Sequence, residues 1–351
     1  MKKTLLSFIL IAAFGIGATT SNLNIFNKIE SNSSEIIKTP IVTNKSCCSK
    51  TSEKPQESSM KFEKEISTGK LHGYLLGAIA PRPIAFASTI NLKGEVNLSP
   101  FSFFNVFGSN PPTLIFSPAR RVRDNTVKHT LQNVEEVKEV VINIVNFSIV
   151  EQMSLASTEY DEGVNEFQKA GLTEGTSIKV KPPRVVESPI SFECEVQNII
   201  SMGNEGGAGN LVICKVVYIH INNEYLGEDN QLDTKKLDLV ARLGANWYSR
   251  ITEDSLFEIP KPIATKGIGV DKLPKHIYET NVLTGNNIGR LGNYDKIPSQ
   301  EEMGLHKKLP EVDKILLIKD DHLKLEQLHL LVKKQLTEGC LPFAIKTLFC
   351  L

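Results

Sequence analysis

The sequence predicts an all-β-dominated fold with a few peripheral helices, and three observations predict it. Strand-like runs outnumber helical ones between residues 84 and 222. The two longest, residues 189–200 and 211–222, flank a Gly- and Asn-rich turn at 203–210, the pattern of a hairpin. Val140, Val141, Ile142, Ile144 and Val145 make a run dense in β-branched side chains, which suit a buried strand. Many strands with few helices between them favour a barrel or sandwich over a doubly wound sheet. A barrel also removes the exposed edges that would invite aggregation.

Each element follows in order. Residues 84–90 are apolar and β-prone, and Asn91-Leu92-Lys93-Gly94-Glu95 supplies a turn. Residues 96–107 form a second apolar stretch, and Pro111-Pro112 introduces a short strand at 113–117. Val127, Leu131, Val134 and Val137 recur at helical spacing over 126–137. Residues 149–156 and 163–170 read as short helices around a polar loop. Beyond Pro260 the pattern weakens: Pro262, Pro274, Pro298 and Pro310 interrupt it, and 285–293 holds several Gly and Asn residues. Ser299 with Glu302 resembles a capped helix start, and residues 323–336 suggest a last helix. No internal repeat is present. This tail, residues 258–351, is expected to pack on the barrel or on a partner chain.

Composition narrows the function classes. Of 351 residues 41% are apolar, and 40 Lys plus Arg balance 40 Asp plus Glu. No whole-chain field therefore favours nucleic acid or an anionic membrane, and no nucleic-acid partner is expected. Residues 1–20 look like a leader, with Lys2 and Lys3 ahead of an apolar run at 5–18. The run is too short for a stable transmembrane anchor. Residues 21–64 are Ser-, Thr-, Asn-, Lys- and Glu-rich and read as a disordered polar arm. A leader in use implies a periplasmic or secreted protein. Translation starting at Met60 implies a cytoplasmic one that keeps everything patterned.

The 6 cysteines do not form a disulfide scaffold. Cys47 and Cys48 sit in the polar arm, while Cys194 and Cys214 read as small core residues of two strands. Neither zinc-ligand spacing nor His-Glu-x-x-His occurs, so no metal is expected. A Gly-x-Gly-x-x-Gly fingerprint and a Gly-Lys-Ser/Thr phosphate loop are also absent.

Chemistry-bearing residues concentrate between Pro81 and Asn133. Pro81-Arg82-Pro83 sets a cation at the mouth of a strand, where it reads either as a ligand contact or as a solvated arginine beside a turn. Ser88 and Thr89 add hydroxyls. Ser99-Pro100-Phe101-Ser102-Phe103-Phe104-Asn105 combines hydroxyls, an amide and aromatic surface, suited to a flat ring with one polar edge. Lys128-His129-Thr130-Leu131-Gln132-Asn133 supplies a cation and a hydroxyl at a helix start, and Arg120, Arg121 and Arg123 make that face basic.

In order and spacing these motifs resemble the flavin reductase-like FMN-binding proteins. The matching residues are Ala80-Pro81-Arg82-Pro83-Ile84-Ala85-Phe86, Ser88-Thr89, Gly94, the stretch from Asn97 to Asn105, Asn110-Pro111-Pro112, Thr130-Leu131-Gln132-Asn133 and Arg242-Leu243-Gly244. The resemblance implies a split β-barrel of Greek-key type over residues 65–257, a homodimer, and FMN bound near its interface. It implies that Arg82, Ser88, Thr89, Ser102, Phe103 and Asn105 line the flavin and that Lys128, Thr130 and Asn133 lie near its phosphate. Arg242 approaches the flavin or the partner subunit, or makes a structural salt bridge.

One residue departs from the family pattern: His129 stands where an acidic residue is common. The implied activity is hydride acceptance by FMN from NADH or NADPH, then transfer to free flavin, a small acceptor or a partner protein. No side chain is compelled to act as acid or base, so the catalytic residue stays unassigned. The alternatives are an FMN-binding electron carrier without enzymatic activity and a structural relative that has lost FMN.

Overall fold

The structure, a computed structural model, describes residues 66–259, 261–262 and 265–351. The leader, the polar arm, Cys47 and Cys48 lie outside these residues. The described residues form two compact units, one ending at Pro260 and one beginning at Lys261. Among them no helix is long and apolar enough to cross a membrane.

The first unit opens with α1 (Thr68–Ala78), capped by the Ser67 side chain, which accepts from Lys70 N–H. Strands β1 (Ala85–Ile90), β2 (Val96–Phe101), β3 (Phe104–Ser109) and β4 (Pro112–Phe116) follow. Then come α2 (His129–Glu136), β5 (Glu139–Ile144), α3 (Val150–Leu155) and α4 (Glu166–Ala170). A two-stranded ribbon, β6 (Glu174–Gly175) with β7 (Arg184–Val185), precedes the long hairpin of β8 (Ile190–Ser201) and β9 (Asn210–Ile221). Helix α5 (Thr234–Leu237) and the ribbon of β10 (Val240–Arg242) and β11 (Tyr248–Arg250) complete the unit.

Seven strands make one sheet in the order β2-β1-β5-β8-β9-β4-β3, antiparallel at every pairing. The β8–β9 hairpin lies where turn chemistry predicts it: Met202 N–H donates to Gly209 O at 2.9 Å, and Gly207 takes φ +95°, open to a residue without a Cβ. The apolar stretch expected over 96–107 splits at Ser102-Phe103 into β2 and β3, which are the two edges of the sheet. Three Cα–Cα steps separate Phe101 from Phe104, a reach of at most about 11 Å. The sheet therefore curls until its edges meet at one corner, yet β2 and β3 form no ladder.

Two apolar layers flank the sheet. Alternation along β1 sends Ala85 and Ala87 to one layer and Phe86 to the other. The first layer holds Phe101, Phe116, Leu131, Val134, Ile142, Cys194 and Cys214, with α2 laid across it. The second gathers Phe86, Leu98, Met153 and Phe167 under α3 and α4. Phe86 and Phe116 are fully buried, and each such side chain stabilises the fold by roughly 1.5–3 kcal/mol. Cys194 and Cys214 are free thiols in this core, paired in register with Val216 and Val196.

The second unit is helical: α6 (Gly285–Gly292), α7 (Gln300–Lys307), α8 (Pro310–Leu316), α9 (Asp321–Thr337) and α10 (Leu341–Leu348). Its core is built from Leu283, Leu291, Val332, Leu336, Ile345 and Leu348. A buried polar chain threads it. His276 Nε2–H donates to the Leu348 carbonyl at 3.2 Å, which leaves Nδ1 as the acceptor for His329 Nε2–H at 3.0 Å. Nearby, Thr347 donates to Gln335 Oε1 at 2.9 Å and accepts from His306 Nε2–H at 2.8 Å.

These facts correct the fold class. Among the described residues there are ten α-helices, helical residues outnumber strand residues, and the sheet does not close. The fold is α plus β, not all-β with peripheral helices. The misreading arose beyond Pro260, where prolines mark helix starts instead of breaks. Pro310 and Pro342 stand in the first turns of α8 and α10, where a missing N–H costs nothing. Pro298 directly precedes Ser299, the N-cap of α7, whose capping box with Glu302 is formed as expected.

Candidate functional site

The predicted site residues gather in two groups joined along β2. The first lies at the corner where the sheet edges meet. Arg82 is buried and pairs through its backbone with Arg242, N–H to O at 2.9 Å one way and 2.8 Å the other. Its guanidinium donates to the carbonyls of Leu76 at 2.6 Å and Leu243 at 2.9 Å, to the carbonyl of Ile79, and to Ser102 Oγ at 3.4 Å. Burial, and then the neighbouring Arg242 charge, lower its pKa. Arg82 thus ties the end of α1, the loop after β10 and the β2–β3 corner together. Phe103, next in the corner, is 39% exposed and stands edge-on to His72 at 6.2 Å.

Arg242 donates to Trp247 O at 2.9 Å and lies 4.6 Å from the centre of the Tyr248 ring. Among the described residues it makes no salt bridge. Asn105 is exposed on edge strand β3, and its Oδ1 accepts from Val106 N–H at 2.8 Å.

The second group surrounds the start of α2. Asn97 Nδ2 donates to Thr130 Oγ1 at 2.8 Å and reaches Thr89 Oγ1 at 3.5 Å. Asn133 Nδ2 donates to the same Thr89 oxygen at 3.1 Å. All four are buried, Thr89 and Thr130 completely. Each hydroxyl accepts from an amide and so retains its own O–H to donate. Ser88 does not join them, because strand alternation turns it to the opposite face of β1. Its buried Oγ has no hydrogen-bond partner among the described residues.

Lys128 is the N-cap of α2 without a side-chain capping bond, an unfavourable place for a cation against the helix dipole. Its Nζ stands 5.7 Å over the Phe101 ring, a cation–π contact worth about 0.5–1 kcal/mol. Burial and the nearby Arg121 lower its pKa, while Glu159 opposes them. A cation kept here at such cost suits an anion that completes it.

A cleft opens at the second group, lined by Asn97, Ser99, Arg121, Lys128, His129 and Thr130 on one side and by 156–160 with Glu166 on the other. Two cations and several hydroxyls beside the open N–H groups of a helix's first turn make a donor set fit for a phosphate monoester. The FMN phosphate suits this end, and the Ser102-Phe103 corner offers aromatic surface for the ring. A roomier hollow of about 440 Å³ lies elsewhere, lined by Arg184, Tyr218 and His220 among others, and contains none of the predicted residues.

Sequence reasoning missed Asn97, Ser99, Glu159 and Glu166 as site residues. Asn97 and Ser99 stood in the quoted motif, and their alternation with Leu98 was the available signal. Glu166 is buried, accepts from Leu98 N–H at 2.9 Å, and has its pKa raised by burial. Nothing in the local sequence brings Glu159 and Glu166 to Lys128; the packing of the α3–α4 segment does.

Comparison with known proteins identifies the family. A family model described as flavin reductase like domain matches residues 77–236, which include every predicted site residue except Arg242. An uncharacterized protein from Aquifex aeolicus is 37% identical over 185 residues, covering 53% of this chain and 92% of the relative. Another, from Halalkalibacterium halodurans, is 38% identical over 199 residues, covering 56% and 93%.

Among solved structures, nitrilotriacetate monooxygenase component B from Bacillus cereus superposes with a TM-score of 0.54 at 28% identity, covering 59% of this chain and 100% of that one. The 2-nitrobenzoate 2-nitroreductase of Pseudomonas fluorescens, at 24% identity and a TM-score of 0.51 over 60% and 100% of the two chains, shares the fold. The chain belongs to the flavin reductase-like, FMN-binding split-barrel family, flavoprotein oxidoreductases at family level.

Proposed function

We propose that the protein is an FMN-dependent oxidoreductase that accepts hydride from NADH or NADPH and passes the electrons to free flavin, a small acceptor or a partner protein. The observation that carries this reading is the cationic, hydroxyl-lined cleft at Lys128 and Thr130, to which β2 contributes Asn97 and Ser99. FMN, when bound, supplies the electron chemistry. The chain's own residues hold and orient it. Lys128 and Arg121 take the phosphate charge, and Thr130 donates its free hydroxyl. The Asn97–Thr89–Asn133 network holds that hydroxyl in place. Phe103 offers an aromatic face, and Arg82 keeps the corner rigid with its donors directed at backbone carbonyls.

The homodimer expected from the family belongs to this proposal. Val106 and Phe107 on β3 are 63% and 64% exposed. Tyr74, Leu75 and Ile79 at α1 are exposed too, and His72 of α1 stands edge-on to Phe103, the residue that precedes β3. An apolar strip of this kind suits a protein partner. The structure similar at 28% identity is named as component B of a monooxygenase, which supports a partner protein as one electron acceptor.

The visible spectrum of the purified protein beginning at Met60 tests the proposal. Flavin bands that bleach on anaerobic NADH or NADPH support it. Bands that persist with both donors favour the electron carrier, and no bands after added FMN overturn FMN binding.

A further inference from the structure

Two basic residues beside the candidate phosphate cleft are already held by an acid. Arg121 Nε lies 2.9 Å from Glu159 Oε1, and Arg123 Nη2 lies 3.1 Å from Oε2 of the same carboxylate. Arg121 is fixed from behind as well, donating to Thr126 Oγ1 at 2.8 Å and to Val127 O at 3.0 Å. Arg121, Lys128, Thr130 and Glu159 all line the same cleft. The only other acid lining it among the described residues, Glu166, is occupied by Leu98 N–H. Glu159 is therefore the exposed negative charge at the end of the cleft best suited to a phosphate.

Resting on the proposed FMN site, we propose that Glu159 is a built-in counter-ion that the flavin phosphate displaces from Arg121. A phosphate monoester carries about 1.5–2 negative charges near neutral pH, so its approach to Arg121 is opposed by a carboxylate already at hydrogen-bonding range. Binding exchanges one ion pair for another, and release lets Glu159 return. The Glu159 side chain is 50% exposed and that of Arg121 21% exposed, so the resident pair is of the weak, screened kind. It lowers phosphate affinity without closing the cleft. Flavin held this way exchanges readily, as flavin that serves as a diffusible acceptor must. The effect acts on the phosphate alone, which separates FMN from riboflavin.

Flavin-fluorescence titration of the wild type, Glu159→Gln, Arg121→Gln and the double variant tests this, with melting curves to show that each is folded. Glu159→Gln is expected to tighten FMN binding about two- to fivefold, the size of an exposed ion pair, and to slow FMN release while leaving riboflavin affinity unchanged. Arg121→Gln weakens FMN, and on that background the Glu159 substitution loses its effect, the signature of coupling. Equal change for both flavins, weaker FMN binding, or an undiminished effect without Arg121 overturns the counter-ion role. A wild type that binds FMN no more tightly than riboflavin removes the phosphate site, and with it both the FMN reading and this inference.

Discussion

Arg82 and Arg242 exchange backbone hydrogen bonds in both directions, at 2.9 and 2.8 Å, although they belong to opposite ends of the flavin unit. The bridge carries the Pro81-Arg82-Pro83 segment to β10 and sets the Arg82 side chain among the carbonyls of Leu76, Ile79 and Leu243. Hydrogen bonds from a charged donor contribute about 1.5–3 kcal/mol each. Arg82→Met is therefore expected to destabilise the flavin unit by about 2–4 kcal/mol. Denaturant midpoints measure it; an unchanged midpoint with lost flavin binding would make Arg82 a ligand residue instead.

Thr130 offers its free O–H to the phosphate end of the cleft. Thr130→Val preserves shape and removes that donor, and should weaken FMN about tenfold, the size of one charge-assisted hydrogen bond. Riboflavin affinity should stay as it is. A fluorescence titration with both flavins decides between this role and a purely structural one.

The packed histidine pair, His329 buried and His276 half-buried, gives the helical unit a defined pH response. Burial lowers the pKa of His276; burial and then His276 lower His329 from 6.5 to about 4. Folding therefore favours neutral rings, and the unfolded chain binds more protons between pH 6.5 and pH 4. Their contribution is fully present above pH 6.5 and is lost as pH falls through the folded pKa near 4. The helical unit should lose a few kcal/mol of stability across that window, because each tenfold change in proton affinity is worth about 1.4 kcal/mol. Melting curves recorded against pH measure the slope, and His329→Leu should flatten it. A variant as pH-sensitive as the wild type would assign the response to other groups.

Thiol reactivity separates core from surface. Burial pushes Cys214 up to about 12 and raises Cys194 well above the usual thiol value, leaving almost no thiolate near neutral pH. Cys350 is buried as well, and Cys340 is exposed. Brief alkylation of the folded protein beginning at Met60, read by peptide mass spectrometry, should modify Cys340 ahead of the other three. Labelling of Cys194 or Cys214 at a matching rate would mean that the sheet core opens readily.

The exposed strip on β3 supports a further test of the proposed homodimer. Val106→Asp places a charge on an apolar edge while disturbing no buried contact. Sedimentation should shift from dimer to monomer without loss of melting temperature, and a dimer that persists would move the interface elsewhere.

Local chemistry determined much of this protein. Apolar β-branched runs and turn residues placed β1, β5 and the β8–β9 hairpin within a residue or two, because strand propensity and a Gly-rich turn act over short distances. The Ser299–Glu302 box marked α7 for the same reason. The motif from Asn97 to Asn105 and the Lys128–Asn133 segment hold Asn97, Ser99, Lys128, His129 and Thr130 of the cleft, of which Lys128 and Thr130 were expected at a phosphate.

Tertiary structure decided the rest. Whether Arg82 meets ligand or carbonyls depends on α1 and on Leu243, which local sequence cannot bring near it. Ser88 and Thr89 are chemically alike, yet the pleat sends one into an apolar layer and the other into the Asn97–Thr130 network. Helices α8 and α10 were hidden because a proline reads as a breaker until its place in the first turn is known. Glu159 reaches Arg121 only because α3 and α4 fold back beside β2. Contacts between residues distant in the chain are held in place by core packing, and no local pattern records them.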